Sequence, residues 1–198
     1  MEVNIISEIL KLVSPIPISV NHYLKPRPFI TYVNGKPKAM VTMYETADAK
    51  KYKKEFIKYI KEQVKLQGFE TKLEKFKNTM VDCVFYFPRI DMDANNTWKL
   101  LLDSITESGV VWLDDNTTLE GARRIFYDPK NPRLELTISY ADYIGIFDNQ
   151  EQLDGFINNN CIQCKRFNKN CSILNSAKEG RIQEEVQDFK CSKFKIVK

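Results

Sequence analysis

The stretch Thr79-Met-Val-Asp-Cys-Val-Phe-Tyr-Phe87, followed at once by Pro88-Arg89, decides the fold because it is the clearest strand in the chain. Its β-branched and aromatic residues favour an extended conformation, and the proline ends it. Apolar residues then recur at helical spacing at Trp98, Leu101, Leu102 and Ile105. Gly109 comes next, where a helix commonly ends. A strand that leads into a helix is therefore the centre of the predicted domain.

Upstream of this centre the sequence predicts an edge strand, a loop, a hairpin and a long helix. Pro15 and Pro17 interrupt the apolar segment 9–20, which suits an edge strand or an extended lead-in. A proline-rich loop is predicted over residues 21–28. Asn34-Gly35 is a strong hairpin signal, and a helical pattern follows over residues 46–66. The two hairpin strands are predicted over residues 29–33 and 39–43.

Downstream, strands are predicted over residues 110–113 and 134–140. The order is then strand, hairpin, helix, strand, helix, strand, strand. It predicts an α/β (α+β) domain with a mixed sheet and two main helices over residues 1–145. Residues 146–198 are predicted to form a separate, small C-terminal module.

Composition narrows the class of protein. Apolar residues make up 43% of the 198 residues and charged residues 28%, which is a normal globular mix. No segment approaches the run of about 20 apolar residues that spans a bilayer, and the N-terminus lacks the features of a signal peptide. We therefore predict a cytoplasmic protein without membrane partners. The net charge of +4 permits a nucleic-acid partner without requiring one.

Acidic residues follow the central strand and the next predicted one. Asp91 and Asp93 alternate, so in extended geometry their carboxylates point to one side, roughly 7 Å apart. Asp114 and Asp115 end the predicted strand 110–113, and a connecting helix brings such strand ends side by side. We expect Asp91, Asp93 and one of the later pair to converge.

Such an acidic cluster suits phosphodiester chemistry. Mg²⁺ prefers carboxylate oxygens and keeps water and phosphate oxygens as its other ligands, so that it can activate a water molecule. Lys99, one turn into the helix, is placed to hold phosphate charge. Aspartates are also common in turns and caps, where they have no catalytic role. A calcium loop is not supported, because Asn96 and Leu102 stand where an EF-hand needs glycine and glutamate.

The helix 46–66 has one apolar face and one basic face. Placed at 100° per residue, the basic face carries Lys50, Lys54, Lys58, Lys61 and Lys65. Lysine stripes are common on solvated helices, but lysines also displace counterions from DNA and give sequence-independent affinity.

An ordered set of residues resembles the RusA family of Holliday-junction resolvases, in the phage or prophage type. The resemblance covers roughly residues 10–140. Family members commonly show D-x-D-N-x-x-K, a helix and then W-x-D-D. The matching positions here are Asn21-His-Tyr, Asp91-x-Asp93, Asn96, Lys99, Asp103, Trp112-Leu-Asp-Asp115 and the strand beginning at Arg133.

The resemblance implies an Mg²⁺-dependent endodeoxyribonuclease that resolves four-way junctions in DNA recombination and repair. It makes Asp91, Asp93 and Asp115 the metal-binding catalytic acids and Lys99 the catalytic lysine. It also implies a homodimer that nicks two strands symmetrically. Ala94 and Asn95 are two residues more than the compact pattern has, so either Asn95 or Asn96 takes the asparagine's place. The candidate DNA contacts are Asn21, Lys25, Arg27, Lys50, Lys54 and Lys58.

The C-terminal module carries four cysteines in the pattern Cys161-x2-Cys164-x6-Cys171-x19-Cys191. Four thiolates with a C-x2-C pair match a structural Zn²⁺ site, and an iron–sulfur cluster is the alternative ligand. Cys83 lies in the central strand and is interpreted as a buried apolar residue.

Two other functions remain open from the sequence alone. The chain is either the metal-dependent nuclease described above, a non-catalytic zinc-containing DNA-binding protein, or a structural interaction protein. The acidic triad discriminates among them, because carboxylates repel phosphate unless a cation lies between.

Overall fold

The computed structural model describes residues 7–73 and 77–197. They form two compact units: residues 7–73 with 80–139, and residues 77–79 with 140–197. The chain passes from the first unit to the second between Ser139 and Tyr140. The domain boundary near residue 145 stays a prediction.

The elements up to Tyr140 include both strands and helices. In chain order they are β1 Ile9–Ser14, α1 Val20–Tyr23, β2 Leu24–Val33, β3 Lys36–Glu45, α2 Ala47–Leu66, β4 Thr79–Phe87, α3 Asn95–Ser108, β5 Thr118–Tyr127 and β6 Arg133–Tyr140. The elements that follow are α4 Gln150–Asn160, α5 Ser172–Lys178, β7 Val186–Gln187 and β8 Lys190–Cys191.

The main sheet has the strand order β1-β6-β4-β5. β1 pairs with β6 in the antiparallel direction. β4 and β5 run the same way, because Asp82 pairs with Arg123 near the middle of both strands and Phe87 C=O accepts from the N–H of Asp128 at their ends. The sheet is therefore mixed, and the mixed α+β fold class is confirmed.

One face of this sheet carries the core of the first unit. Alternate residues of β4 point into it and are fully buried: Val81, Cys83, Phe85 and Phe87. The Trp98 ring of α3 packs edge-on against Phe85, with ring centroids 5.5 Å apart. The hydroxyl groups of Tyr52 and Tyr59 on α2 reach β1. Both main helices therefore cover the same face.

Local signals set the ends of both main helices. The Thr46 side chain accepts a hydrogen bond from the N–H of Ala49 and caps α2. Gly109 ends α3 in the left-handed conformation, at φ 66°, where glycine has no Cβ penalty.

Two sequence predictions about this unit are wrong. Residues 110–113 are not a strand; Val111 and Trp112 are buried in a connection, and the Trp112 indole donates to Thr106. The strand in that part of the chain is β5, eight residues later than predicted. Residues 21–28 are also not a loop, because they contain most of α1 and the start of β2.

Candidate active site

Lys99 lies between two carboxylates. Its Nζ is 2.7 Å from Asp103 Oδ1, one turn further along α3, and 3.5 Å from Asp115 Oδ2. The hydrogen bond to Asp103 raises the pKa of the Lys99 amine above its usual value, and the charge of Asp115 adds to the shift. Lys99 is therefore a cation at neutral pH and can hold phosphate charge, but it cannot act as a base.

Asp115 reaches Lys99 because of a short 3-10 turn over Asp115–Thr117. Asp114 begins this turn, and its Oδ1 accepts a hydrogen bond from the N–H of Asn116 at 3.0 Å. The two neighbouring acids thus have different surroundings: Asp114 caps the turn, and Asp115 faces the lysine.

Asp91 and Asp93 lie in the connection between β4 and α3. Asp93 holds the start of α3, since its carboxylate accepts hydrogen bonds from the N–H of Asn95 at 2.9 Å and from the Asn96 side chain at 3.3 Å. Asp91 is exposed and pairs with Arg89 at 3.2 Å. Asn95 therefore contacts Asp93 through its backbone, and Asn96 contacts it through its side chain.

The predicted convergence concerns Asp91, Asp93 and one of Asp114 and Asp115, whereas the contacts of the structure join a different set. Lys99 and Asp115 come together, and Asp103 joins them. In residues 7–73 and 77–197, no group of three or more His, Cys, Asp or Glu side chains is arranged to hold a metal ion. The assignment of Asp91, Asp93 and Asp115 as joint metal ligands stays a prediction.

Tyr23 is a neighbour of this cluster that sequence reasoning missed. It is buried at the end of α1, which contacts α3. Burial raises the pKa of its phenol, and the negative charge of Asp103 raises it further. The resemblance includes Asn21-His-Tyr, but of these three residues only Asn21 is predicted to have a role, as a DNA contact. Asn21 is exposed at the start of α1.

The predicted basic groups lie on α2 and β2. Lys50, Lys54 and Lys58 are exposed and, with Lys51 and Glu55, line one shallow depression along α2. Lys25 and Arg27 are exposed on β2, two residues apart and so on one face of that strand. A chain of phosphates could contact either group.

The four cysteines of the second unit line one small cavity of about 10 Å³, which is close to the space of one water molecule. Burial raises the pKa of the Cys161 thiol to about 11, and the nearby cysteines add to the shift. The backbone N–H of Arg166 lowers the pKa of Cys164, as expected where main-chain donors stabilise a thiolate. All four are free thiols.

The first unit thus combines a mixed sheet, two covering helices and a lysine held between two aspartates. The sequence profile described as endodeoxyribonuclease RusA matches residues 20–139. The chain therefore belongs to the RusA endodeoxyribonuclease family. No curated protein shows a significant match to the chain. None of the described helices is long and apolar enough to cross a membrane.

Proposed function

We propose that this chain is an Mg²⁺-dependent endonuclease that resolves four-way DNA junctions by paired, symmetric nicks. The observation that carries the proposal is Lys99 between Asp103 and Asp115 in a member of the RusA family. A cation at that place binds a phosphate, and hydrolysis of a phosphodiester needs such charge stabilisation. The proposed setting is recombination and repair of phage or prophage DNA in the bacterial cytoplasm.

The donor chemistry of the site fits a hard divalent cation. Mg²⁺ usually needs one or two protein carboxylates and completes its shell with water and phosphate oxygens. Asp91, Asp93 and Asp115 are the carboxylates that would hold it. When bound, the ion would activate water and offset the charge of the phosphate. Lys99 would orient the scissile phosphate, and Asp103 would keep Lys99 charged and in place.

We also propose that Cys161, Cys164, Cys171 and Cys191 hold a structural Zn²⁺ ion. Support comes from their shared cavity, from the thiolate-stabilising N–H at Cys164 and from the C-x2-C spacing. An iron–sulfur cluster is the alternative ligand for the same thiolates.

A second candidate function is a non-catalytic, zinc-containing DNA-binding protein. It is favoured by one observation: the carboxylates of Asp91 and Asp93 are already engaged with Arg89 and with the start of α3. In that case the basic groups would bind DNA without cleavage.

The test compares cleavage of a labelled four-way junction and a linear duplex of the same sequence, with and without Mg²⁺. Asp115→Asn should abolish paired nicking and retain junction binding. Asp114→Asn is the matched control, because asparagine still accepts the turn hydrogen bond. If the chain binds the junction but does not cut it with any divalent ion, the nuclease proposal is wrong and the DNA-binding function is supported.

A further inference from the structure

Four cations of the second unit form a group that we call the C-terminal basic surface. The N–H of Lys165 donates to the C=O of Lys195 at 2.9 Å, so two separate parts of the chain are in contact there. Arg166 and Lys193, one from each part, line the same small cavity. All four residues are exposed. The fold of the second unit therefore brings these cations together, although they are far apart in the sequence.

The protein itself does not neutralise this surface. Residues 161–169 and 189–197, which supply the four cations, contain no aspartate or glutamate. None of the four forms an ion pair with a carboxylate of the described residues, whereas Arg181 in the same unit pairs with Glu179 at 2.8 Å. A surface of one sign of charge attracts and concentrates ions of the opposite sign. The C-terminal basic surface is therefore suited to a polyanion.

A metal ion at the four cysteines would leave much of this charge in place. Zn²⁺ with four thiolates has two negative charges in excess, which offset at most two of the four cations. The lining of the cysteine cavity includes Arg166 and Lys193 but not Lys165 or Lys195. Lys165 and Lys195 therefore keep their charge for a different ligand.

Exposed apolar side chains beside the cations favour a single strand over a duplex. Phe194 lies between Lys193 and Lys195 in the chain and is 36% exposed, and Ile196, the next residue, is 60% exposed. A single strand can place a base on an aromatic ring, whereas a duplex keeps the faces of its bases inside the stack. Cations beside an exposed ring are the combination that proteins use to bind unpaired nucleic acid.

We propose that the C-terminal basic surface binds single-stranded DNA, with its cations on the phosphates and the Phe194 ring stacked on a base. The surface belongs to the second unit and lies outside residues 20–139, which match the family profile. The choice of DNA rests on the membership of the chain in an endodeoxyribonuclease family, and not on the proposed cleavage of junctions. Binding is independent of sequence, because neither phosphate contacts nor stacking identify a base.

Fluorescence anisotropy of the full chain with a labelled oligothymidine, in buffer without Mg²⁺, tests the proposal. The combined change Lys165→Gln and Lys195→Gln should reduce the slope of log K against log salt by about 1.4, because each lysine releases about 0.7 of a counterion from a single strand. Lys165→Arg with Lys195→Arg keeps both charges and should bind as the wild type does. Arg181→Gln is the matched control, because it removes a cation of the same unit that is already paired.

Phe194→Leu separates stacking from charge. It should weaken the binding of oligothymidine roughly 5- to 150-fold, the contribution of one stacked base, and leave the salt slope unchanged. Its affinity for a DNA duplex of the same length should equal that of the wild type. Far-UV circular dichroism and thermal unfolding check that each variant is folded.

Two results would overturn the proposal. The first is an unchanged salt slope in the folded glutamine variant, since the lysines would then contact no phosphate. The second is a Phe194→Leu chain that binds oligothymidine as tightly as the wild type, or that loses affinity for oligothymidine and duplex alike. Junction cleavage separates this site from the proposed function. A chain that shows the expected binding changes but never cuts a junction retains this site and excludes the nuclease, whereas a chain that cuts junctions without those changes excludes only this site.

Discussion

Asp93 has a structural role and a predicted catalytic role. Its carboxylate holds the start of α3 through Asn95 and Asn96, and it is a predicted metal ligand. Asparagine keeps a side-chain oxygen that can accept such hydrogen bonds, but it is a poor ligand for Mg²⁺ because it is neutral. The two roles can therefore be separated by comparing two substitutions.

We expect Asp93→Asn to abolish Mg²⁺-dependent junction cleavage and to leave the free energy of unfolding nearly unchanged. Asp93→Ala should abolish cleavage as well and lower the free energy of unfolding by about 1 kcal/mol, the usual contribution of a hydrogen bond. Urea unfolding and a junction cleavage assay measure the two effects. Full cleavage activity of the Asp93→Asn variant would show that Asp93 is not a catalytic metal ligand.

Asp103 acts on the reaction through Lys99 rather than on the DNA. Its hydrogen bond raises the pKa of the Lys99 amine, so the ion pair is fully formed below the usual pKa of lysine and is lost as the pH rises through the raised value. Asp103→Asn should lower the pKa of Lys99 in an NMR titration of the lysine side chains.

The same variant should reduce kcat for junction cleavage roughly 10- to 100-fold with little change in KM, because Lys99 loses its orientation. Asp154→Asn is the control, since it removes an exposed acid from α4. If the pKa of Lys99 stays the same in Asp103→Asn, the positioning role of Asp103 is wrong.

Helix α2 has one face that packs in the core and one face that is exposed and basic. Tyr52, Phe56 and Ile60 are buried, while the lysines of the basic face are exposed. Lys53 is the exception among the lysines: it is buried and paired with Glu45 and Glu107. It therefore belongs to the packing of the unit and not to the candidate DNA surface.

If Lys54 contacts a phosphate, Lys54→Gln should reduce the slope of log K against log salt by about 0.9, the value expected for one released counterion. The loss of affinity should be the same for junctions of different sequence. Lys130→Gln removes an exposed charge from the turn after β5 and should leave the slope unchanged. Fluorescence anisotropy over a range of salt concentrations measures both variants, and equal slopes would exclude Lys54 from the interface.

Elements with a buried face could be predicted from the sequence, and so could the exposed β2–β3 hairpin, because its Asn34-Gly35 turn is a specific signal. The exposed strand β5 has no such signal. The pattern of β4 was clear because alternate residues enter the core, and α3 ended at the predicted glycine. β5 was missed because it lies at the edge of the sheet and carries Glu120, Arg123 and Arg124, which hide its alternation. The apolar run at 110–113 has the pattern of a strand, although only Val111 and Trp112 are buried and the run is a connection.

The sequence selects residues for the candidate site, but it could not indicate their contacts. Spacing and resemblance selected Lys99 and Asp115, and the structure places them 3.5 Å apart. Spacing could not indicate that Asp93 also accepts a hydrogen bond from Asn95 N–H, or that Asp114 caps a turn while Asp115 does not. Such roles depend on where the backbone N–H groups of each turn point.

At the scale of the whole molecule, the second unit has a core of its own, but a small one. Phe147, Leu153, Phe156 and Leu174 are buried in it, and Cys161 packs beside them. Units of this size often need a metal or a disulfide in addition to their apolar core. The four cysteines are the available ligands, and Cys83 provides an internal control because it is buried in β4 and burial raises the pKa of its thiol.

We expect the purified chain to contain one Zn²⁺ ion, measured by elemental analysis, and to lack the visible absorption of an iron–sulfur cluster. Cys191→Ser should lose the metal, whereas Cys83→Ala should keep it. Removal of the ion with a chelator should reduce the protection of amides in residues 140–197 against hydrogen exchange. Amides in residues 80–139 should keep most of their protection. The reason is that a metal that binds only the folded unit stabilises that unit. A metal-free chain whose exchange does not respond to Zn²⁺ or chelator would show that the second unit relies on its apolar core alone.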